Sequence, residues 1–152
     1  MRLATFIETH LKEILIEWDT FAKTLFSGVD KSHVSLLRDH AAEILKELVS
    51  DMEQKESAKQ QKAKSMGAPS PFHPDDSAAN IHGMLRHDDG FSFASLAAEF
   101  RALRASVLRL WLPKIPVVTN QVLLDIVRFN EAIDEALADS IETFETNRDA
   151  VS

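Results

Sequence analysis

The sequence predicts an all-α fold, a helical bundle of about five helices, from three observations. The chain of 152 residues contains only four glycines, five prolines and no tyrosine, and is rich in Leu, Ala, Glu and Lys, which favour helix. Apolar residues recur at the three- and four-residue spacing of a helix with one buried face. Polar or proline-containing stretches separate these segments. With 45% hydrophobic residues, one domain can bury a sizeable core.

The first predicted helix runs from Ala4 to Phe26. Its apolar side chains follow helical spacing: Ile7, Leu11, Ile14, Trp18, Phe21 and Leu25. Gly28 suits the end of this helix, and Asp30 or Ser32 suits the N-cap of the next one. The buried stripe predicted for the second helix consists of Leu37, Ala41, Ile44, Leu48 and Met52.

A long polar connection precedes the third predicted helix. Residues 54–64 are rich in Lys and Gln, and Gly67–Pro74 contains three prolines, which cannot continue a helix. The third helix is short and ends near Gly90; it carries Ile81, His82, Leu85 and Arg86. Ser92 can cap the fourth helix, whose stripe runs to Trp111 through Leu96, Phe100, Leu103, Val107 and Leu110. We expect both tryptophans to be core residues whose indole N–H needs a partner.

The fifth predicted helix follows Pro113 and Pro116 and has two apolar ridges. The first ridge consists of Val122, Ile126, Phe129, Ile133, Ala136, Leu137 and Phe144. The second consists of Leu123, Val127 and Ile141. This surface either packs on both sides within one bundle or packs on one side against a second copy of the chain, and we favour a homodimer. The candidate dimer and relay residues are Leu123, Val127, Phe129, Ile133, Leu137 and Ile141.

Composition excludes several function classes. The formal net charge of −7 argues against a nucleic-acid partner, because binding to phosphates requires a basic surface. Without cysteine there is no disulfide, thiolate zinc site or cysteine nucleophile. The first 18 residues carry acidic side chains and lack the continuous apolar run of a signal peptide or membrane span. We therefore expect a cytoplasmic chain with no membrane span.

Motifs for catalysis or cofactors are missing from the sequence. No two histidines have the i, i+4 spacing of a helical metal site, and neither a phosphate-binding glycine motif nor a G-x-S-x-G motif occurs. A haem needs only one histidine in an apolar pocket, for which His40 or His82 can serve, but a lone histidine is more often a hydrogen-bonded edge residue. We expect no enzymatic activity, no metal and no cofactor in this chain.

One set of polar residues borders the predicted apolar stripes: His40, His82, Gly83, Arg86, Glu99 and Arg104. His82 and Arg86 are four residues apart and hence neighbours on one helix surface. Glu99 and Arg104 border the fourth stripe on opposite sides. These residues form either interhelical hydrogen bonds and ion pairs or a small polar pocket for a signal molecule or anion, and we favour the first interpretation.

Four stretches of the sequence carry a family resemblance. They are "LRDHAAEIL" (37–45), "KSMG" (64–67), "HGMLRHDDGFSFASLAAEFRALRASVLRLW" (82–111) and "FNEAIDEALADSI" (129–141). Together they resemble the RsbRD-type N-terminal domain of the RsbT co-antagonist family, which is found at the front of many bacterial sensor histidine kinases. The family pattern is matched by His82, Gly83, Arg86, Gly90, Phe91, Glu99, Phe100, Arg101, Leu103, Arg104 and Trp111.

The resemblance implies a helical input domain over residues 1–145, without catalysis of its own, followed from residue 146 by the start of a linker. In such a kinase the last helix leads toward a dimerising helix with the phosphoacceptor histidine, an ATP-binding core and a partner response regulator. The alternatives are a stressosome-type regulatory protein-interaction module and a haem- or metal-binding sensor. Related helical input domains resemble globins without haem, so a globin-like packing is a variant of this fold.

Overall fold

The chain folds as an all-α bundle, as the sequence predicts. The structure is a computed structural model that describes residues 1–25, 31–54, 78–81, 84 and 93–151. The helices are α1 (Leu3–Thr9), α2 (Leu11–Leu25), α3 (Lys31–Glu53), α4 (Phe93–Trp111), the 3₁₀-helix η1 (Leu112–Lys114) and α5 (Asn120–Val151). Residues 78–81 and 84 are also helical, and none of the described residues is in a strand.

Four long helices surround one core. α2 packs against α3 and α4, and α5 packs against the same two helices, so α2 and α5 lie diagonally across the bundle. α1 contacts all four long helices and buries Leu3, Phe6 and Ile7 almost completely. The largest fully buried side chains of the long helices include Trp18, Ile14, Leu45, Leu48, Leu96, Trp111, Phe129 and Ile133.

The prediction of one continuous helix from Ala4 to Phe26 is wrong, because the chain breaks at His10. This residue leaves helical geometry, with φ −119° and ψ 23°, while its N–H still donates to the Phe6 carbonyl. The hydroxyl of Thr9 donates to the carbonyl of Thr5 at 2.9 Å. A threonine hydroxyl that bonds to the carbonyl four residues earlier slightly destabilises a helix and often bends it. The break separates the short α1, which meets every long helix, from α2.

Of the other predicted helix limits, the structure confirms the end of α4 and differs at the start of α3 and the end of α5. Ser32 lies inside α3 and is therefore not its N-cap, and Gly28, Asp30, Gly90 and Ser92 lie outside the described residues. α4 ends at Trp111 as predicted, with a proline at the start of η1. α5 continues as helix through residues 146–151, where the resemblance implies the start of a linker.

Both tryptophans are core residues, as predicted. Trp18 is 1% exposed and Trp111 is 0% exposed. The indole N–H of Trp111 donates to the backbone carbonyl of Met1 at 3.1 Å. This hydrogen bond supplies the partner that a buried indole requires. It also ties the first residue of the chain to the end of α4.

Candidate functional site

Glu99, one of the predicted polar-network residues, lies inside the bundle with only 2% of its surface exposed. It borders a cavity of about 10 Å³ that is otherwise lined by apolar side chains of α2, α3 and α4: Trp18, Ala41, Ile44, Phe100 and Leu103. A volume of this size is about that of one water molecule. The cavity beside Glu99 therefore has room for about one water molecule.

Arg104, a second predicted residue, faces a different neighbour. Its guanidinium forms an ion pair with Asp134 of α5. The side chains are 35% and 61% exposed, so solvent weakens the attraction to about 1 kcal/mol or less. Arg104 thus faces α5, whereas Glu99 borders a cavity lined by side chains of α2, α3 and α4. The ion pair is an interhelical contact of the kind that the sequence favoured over a pocket.

The remaining polar-network residues divide into two groups. His40 lies in α3, is half-buried, and directly precedes Ala41, which borders the same small cavity as Glu99. His40 and Glu99 therefore belong to the same part of the bundle. His82, Gly83 and Arg86 lie outside the described residues.

The helical residues 78–81 are bound to α3 by a carboxylate. Both carboxylate oxygens of Glu47 accept the backbone N–H of Ala78, each at 3.0 Å. A carboxylate that accepts a backbone N–H makes a charge-assisted hydrogen bond, which is stronger than a bond between neutral groups. Glu47 was not predictable from the sequence, because a glutamate on a polar helix face gives no sign of a partner 31 residues away.

The same residues are bound to α5 by two hydroxyl groups. Ser140, which is fully buried, donates to the backbone carbonyl of Ala79. The hydroxyl of Thr143 lies 2.9 Å from the side-chain oxygen of Asn80, to which it donates. We call Glu47, Ser140 and Thr143, together with residues 78–80, the second clamp, because it contacts α5 farther along the helix than the cluster around Asp125 described next. Its only signal in the sequence is a pair of hydroxyl residues three apart on the mainly apolar face of α5.

Asp125 is the centre of another polar cluster, which lies nearer the start of α5 than the second clamp does. Its carboxylate accepts hydrogen bonds from the Arg2 guanidinium at 2.9–3.1 Å and from the backbone N–H of Leu3 at 3.1 Å. The amide of Gln121 donates to the same carboxylate at 3.1 Å. We call Arg2, Leu3 and Asp125 the first clamp. It fixes the start of α1 to α5. No local sequence pattern predicts it, because its partners are 122 and 123 residues apart.

The first clamp shifts the pKa values of both ionisable partners. Burial raises the pKa of Asp125, but the hydrogen bonds from Arg2, Leu3 and Gln121 and the charge of Arg2 outweigh burial, so the net pKa is below the ordinary value. The hydrogen bond to Asp125 raises the pKa of Arg2 above its ordinary value. Both partners are therefore charged at neutral pH.

The predicted relay residues of α5 separate by burial. Phe129 and Ile133 are fully buried in the core of their own chain, so they are not available to a second copy. Leu137 and Ile141 pack partly buried against that core, which places Ile141 off the free ridge to which the sequence assigned it. Leu123 and Val127 are 52% and 45% exposed. Only the first part of the predicted second ridge faces outward.

Exposed apolar side chains concentrate around the start of α5. Six of the ten large exposed apolar residues in the described part of the chain lie between residues 112 and 127, with 36% to 68% of their surface exposed. We call these six the apolar patch: Leu112, Val117, Val118, Leu123, Leu124 and Val127. Farther along α5 the exposed side chains include three acidic ones, Asp134, Glu142 and Glu145, beside Ala138 and Thr146.

The described residues contain no group of three His, Asp or Glu side chains that could hold a metal ion. Of the described helices, none combines the length and apolar character that crossing a membrane requires. Comparison of the chain with protein-family models, curated proteins and solved structures finds no match.

Proposed function

We propose that this chain is the signal-input and dimerisation domain of a bacterial two-component sensor histidine kinase and relays a conformational signal through α5. The observation that carries the proposal is the exposed apolar patch beside a helix whose other face is the bundle core. The motifs at 37–45, 82–111 and 129–141 support the same assignment through their resemblance to the RsbRD-type family.

A second copy of the chain is the proposed occupant of the apolar patch. Exposed apolar surface of this kind marks interaction sites. The chain has a net charge of −7, which opposes self-association over most of its surface. Residues 112–124 contain no Asp or Glu, so two copies can approach there with the least repulsion. A two-fold axis through this region places each patch against its equivalent, as in most homodimers.

Helix α5 has the features that a relay between the bundle and a downstream region requires. Its inner face contributes Phe129, Ile133 and Phe144 to the core. It continues as helix to Val151, beyond the last core residue. A signal that favours one of two arrangements of α5 against the bundle would change the orientation of whatever follows it. In the proposed parent protein, this is the kinase region that phosphorylates a response regulator.

A stressosome-type protein-interaction module is the second candidate, favoured by the acidic outer surface of α5. Asp134, Glu142 and Glu145 are exposed on its second half. Such a surface would dock a basic partner and accelerate its association by electrostatic steering. In that case the partner binds the acidic half of α5, and the apolar patch makes no homodimer.

Light scattering of the purified chain tests the dimer. We expect a dimer at about 50 µM, well above a micromolar dissociation constant, and a monomer for the double variant Leu123→Glu, Val127→Glu. Ile16→Glu is the matched control, because Ile16 is 55% exposed on α2 and lies outside the patch. A monomeric wild-type chain would overturn the proposed dimer.

Cysteine cross-linking tests the position of the two-fold axis. The chain contains no cysteine, so one introduced thiol can react only with its equivalent in a second copy. Val127→Cys is expected to form a disulfide-linked dimer under oxidation, since a bridge needs Cα atoms within about 7 Å. Ile16→Cys is expected to remain monomeric, and equal cross-linking at both positions would argue against the patch.

Autophosphorylation of the full-length parent protein tests the kinase assignment separately. We expect transfer of phosphate from ATP to a histidine, and an altered rate in the Leu123→Glu, Val127→Glu variant. A dimer whose parent protein shows no phosphotransfer would retain the interface but contradict the kinase assignment. Basic-partner binding lost in Asp134→Asn, Glu142→Gln would favour the second candidate.

A further inference from the structure

An open groove of about 550 Å³ lies between α2 and α4. Its volume is in the range of sites that bind small organic molecules. The groove is separate from the apolar patch, since its lining residues come from 17–24 and 98–109. The inference drawn from it therefore does not depend on the proposed dimer.

The interior of the groove is apolar because α4 carries small residues there. Ala98, Ala102 and Ala105 follow each other at helical spacing and line the groove. Ser106, which is 3% exposed, lies beside them. Phe21 of α2 contributes a half-buried aromatic ring. These side chains can cover an apolar body but offer it no charge.

The two ends of the groove differ in charge. At one end Arg109 donates to Glu17 across the groove at 2.7 Å, so the two charges compensate each other. Arg101 lines the groove eight residues earlier on α4, about 12 Å away along the helix. Arg101 is exposed and forms no ion pair within the described part of the chain. Among the described residues that line the groove, Arg101 is therefore the one whose positive charge is uncompensated.

The hydroxyl groups of the groove do not replace Arg101 as donors to an anion. Thr20 and Thr24 of α2 donate to the carbonyls of Ile16 and Phe21 in their own helix. Ser106 likewise donates to a carbonyl within α4. Each hydroxyl has one donor, which is thereby used. The guanidinium of Arg101 remains as the group that can bind a carboxylate through charge-assisted hydrogen bonds.

We propose that this groove binds an organic anion that has one carboxylate and an apolar body about 10 Å long, which fits within the distance of about 12 Å between its two arginines. The carboxylate lies at Arg101, and the body lies along Phe21 and the alanines toward the Arg109–Glu17 pair. A single charge fits because Arg101 is the one uncompensated charge among the described residues that line the groove. The apolar body removes water from the alanine surface, which favours binding.

A titration followed by two-dimensional NMR tests this site with 4-phenylbutanoate and the uncharged 4-phenyl-1-butanol as probes. We expect the carboxylate to bind with a dissociation constant of about 1 mM, typical of a small ligand, and to shift the amide signals of residues 98–106. The alcohol should bind about tenfold more weakly, because it lacks the charge-assisted bond.

Three variants locate the interaction. Arg101→Gln should weaken carboxylate binding about tenfold and leave the alcohol unaffected. Lys46→Gln removes the same charge from an exposed site on α3 and should change neither probe. Ala105→Leu places a larger side chain at an exposed position of the groove and should weaken both probes, while circular dichroism reports an unchanged fold.

Several outcomes would overturn the proposal. These are no saturable binding of the carboxylate up to about 10 mM, equal affinity for the carboxylate and the alcohol, or unchanged binding in Arg101→Gln. Signal shifts confined to the apolar patch would also overturn it, since the probe would then bind at the proposed dimer surface. A monomeric chain that still binds the probe would contradict the proposed dimer and leave the proposed groove site standing.

Discussion

The two clamps hold the two ends of the buried part of α5 by different chemistry. In the first clamp, Asp125 on α5 is a buried carboxylate that binds a guanidinium and a backbone N–H of the α1 region. In the second clamp, α5 contributes only neutral hydroxyl groups, Ser140 and Thr143. Charge-assisted hydrogen bonds are roughly twice as strong as neutral ones. Of the two clamps, the first therefore holds α5 through the stronger hydrogen bonds.

The outer surfaces at the two ends differ as well. The first clamp lies in the part of the chain that bears the apolar patch, whereas the outer surface beyond it is acidic at Asp134, Glu142 and Glu145. A strongly held region is a suitable base for a dimer contact, because docking there requires no rearrangement of the bundle. In the proposed relay, displacement of α5 is then easiest at the second clamp.

The largest expected effect is the loss of the first clamp. Asp125→Ala should lower the free energy of unfolding by about 3 kcal/mol, because it removes a charged partner and leaves the Leu3 N–H buried without an acceptor. Urea denaturation followed by circular dichroism measures this change. Asp134→Ala is the control, with an expected loss of about 1 kcal/mol or less for an exposed pair. Equal losses in both variants would contradict the difference in strength.

Acidification should gradually remove the stabilisation that the Asp125 carboxylate contributes to the folded chain. The pKa of Asp125 is lowered in the folded chain, so its stabilisation is complete above the ordinary aspartate pKa of about 3.9 and is lost as pH falls through the folded-state value. The difference in unfolding free energy between wild type and Asp125→Asn should therefore shrink below about pH 4. A difference that stays constant down to about pH 2.5 would contradict the lowered pKa.

Loss of the second clamp should cost less. Ser140→Ala removes one neutral hydrogen bond to Ala79 and should lower the free energy of unfolding by about 1 kcal/mol. Hydrogen exchange should accelerate at residues 78–80 but not at Leu3. Thr146→Ala is the control, because its exposed hydroxyl donates within its own helix, and it should change stability by less than about 0.5 kcal/mol. Faster exchange at Leu3 would mean that the two clamps are not separate.

The smallest effect is expected on the outer surface of α5. Leu123→Gln should change the stability of the monomer by less than about 0.5 kcal/mol, since the side chain is half exposed, while weakening the proposed dimer. Ile141→Gln should cost more, because Ile141 packs against the core. Thermal unfolding of dilute, monomeric protein measures the stability of each of these two variants. A large loss in Leu123→Gln would place this residue in the packing of its own chain.

Much of the fold was predictable because helical periodicity is a local property. The spacing of apolar residues predicts α4 to within one residue of its end, and it identifies Trp18 and Trp111 as core residues. It also predicts a second ridge on α5, of which Leu123 and Val127 are exposed as a free ridge requires. The break at His10 was not predictable from periodicity, because the stripe of apolar residues continues across it.

Sequence by itself determined the helix class, the core stripes and the candidate polar residues, because each depends on neighbours a few positions apart. Tertiary structure decided which of these residues meet. Arg2 and Asp125 are 123 residues apart and Glu47 and Ala78 are 31 apart, so no local pattern links them. It also decided that Ile141 lies against the core while Leu123 faces outward, since burial depends on where the neighbouring helices pack.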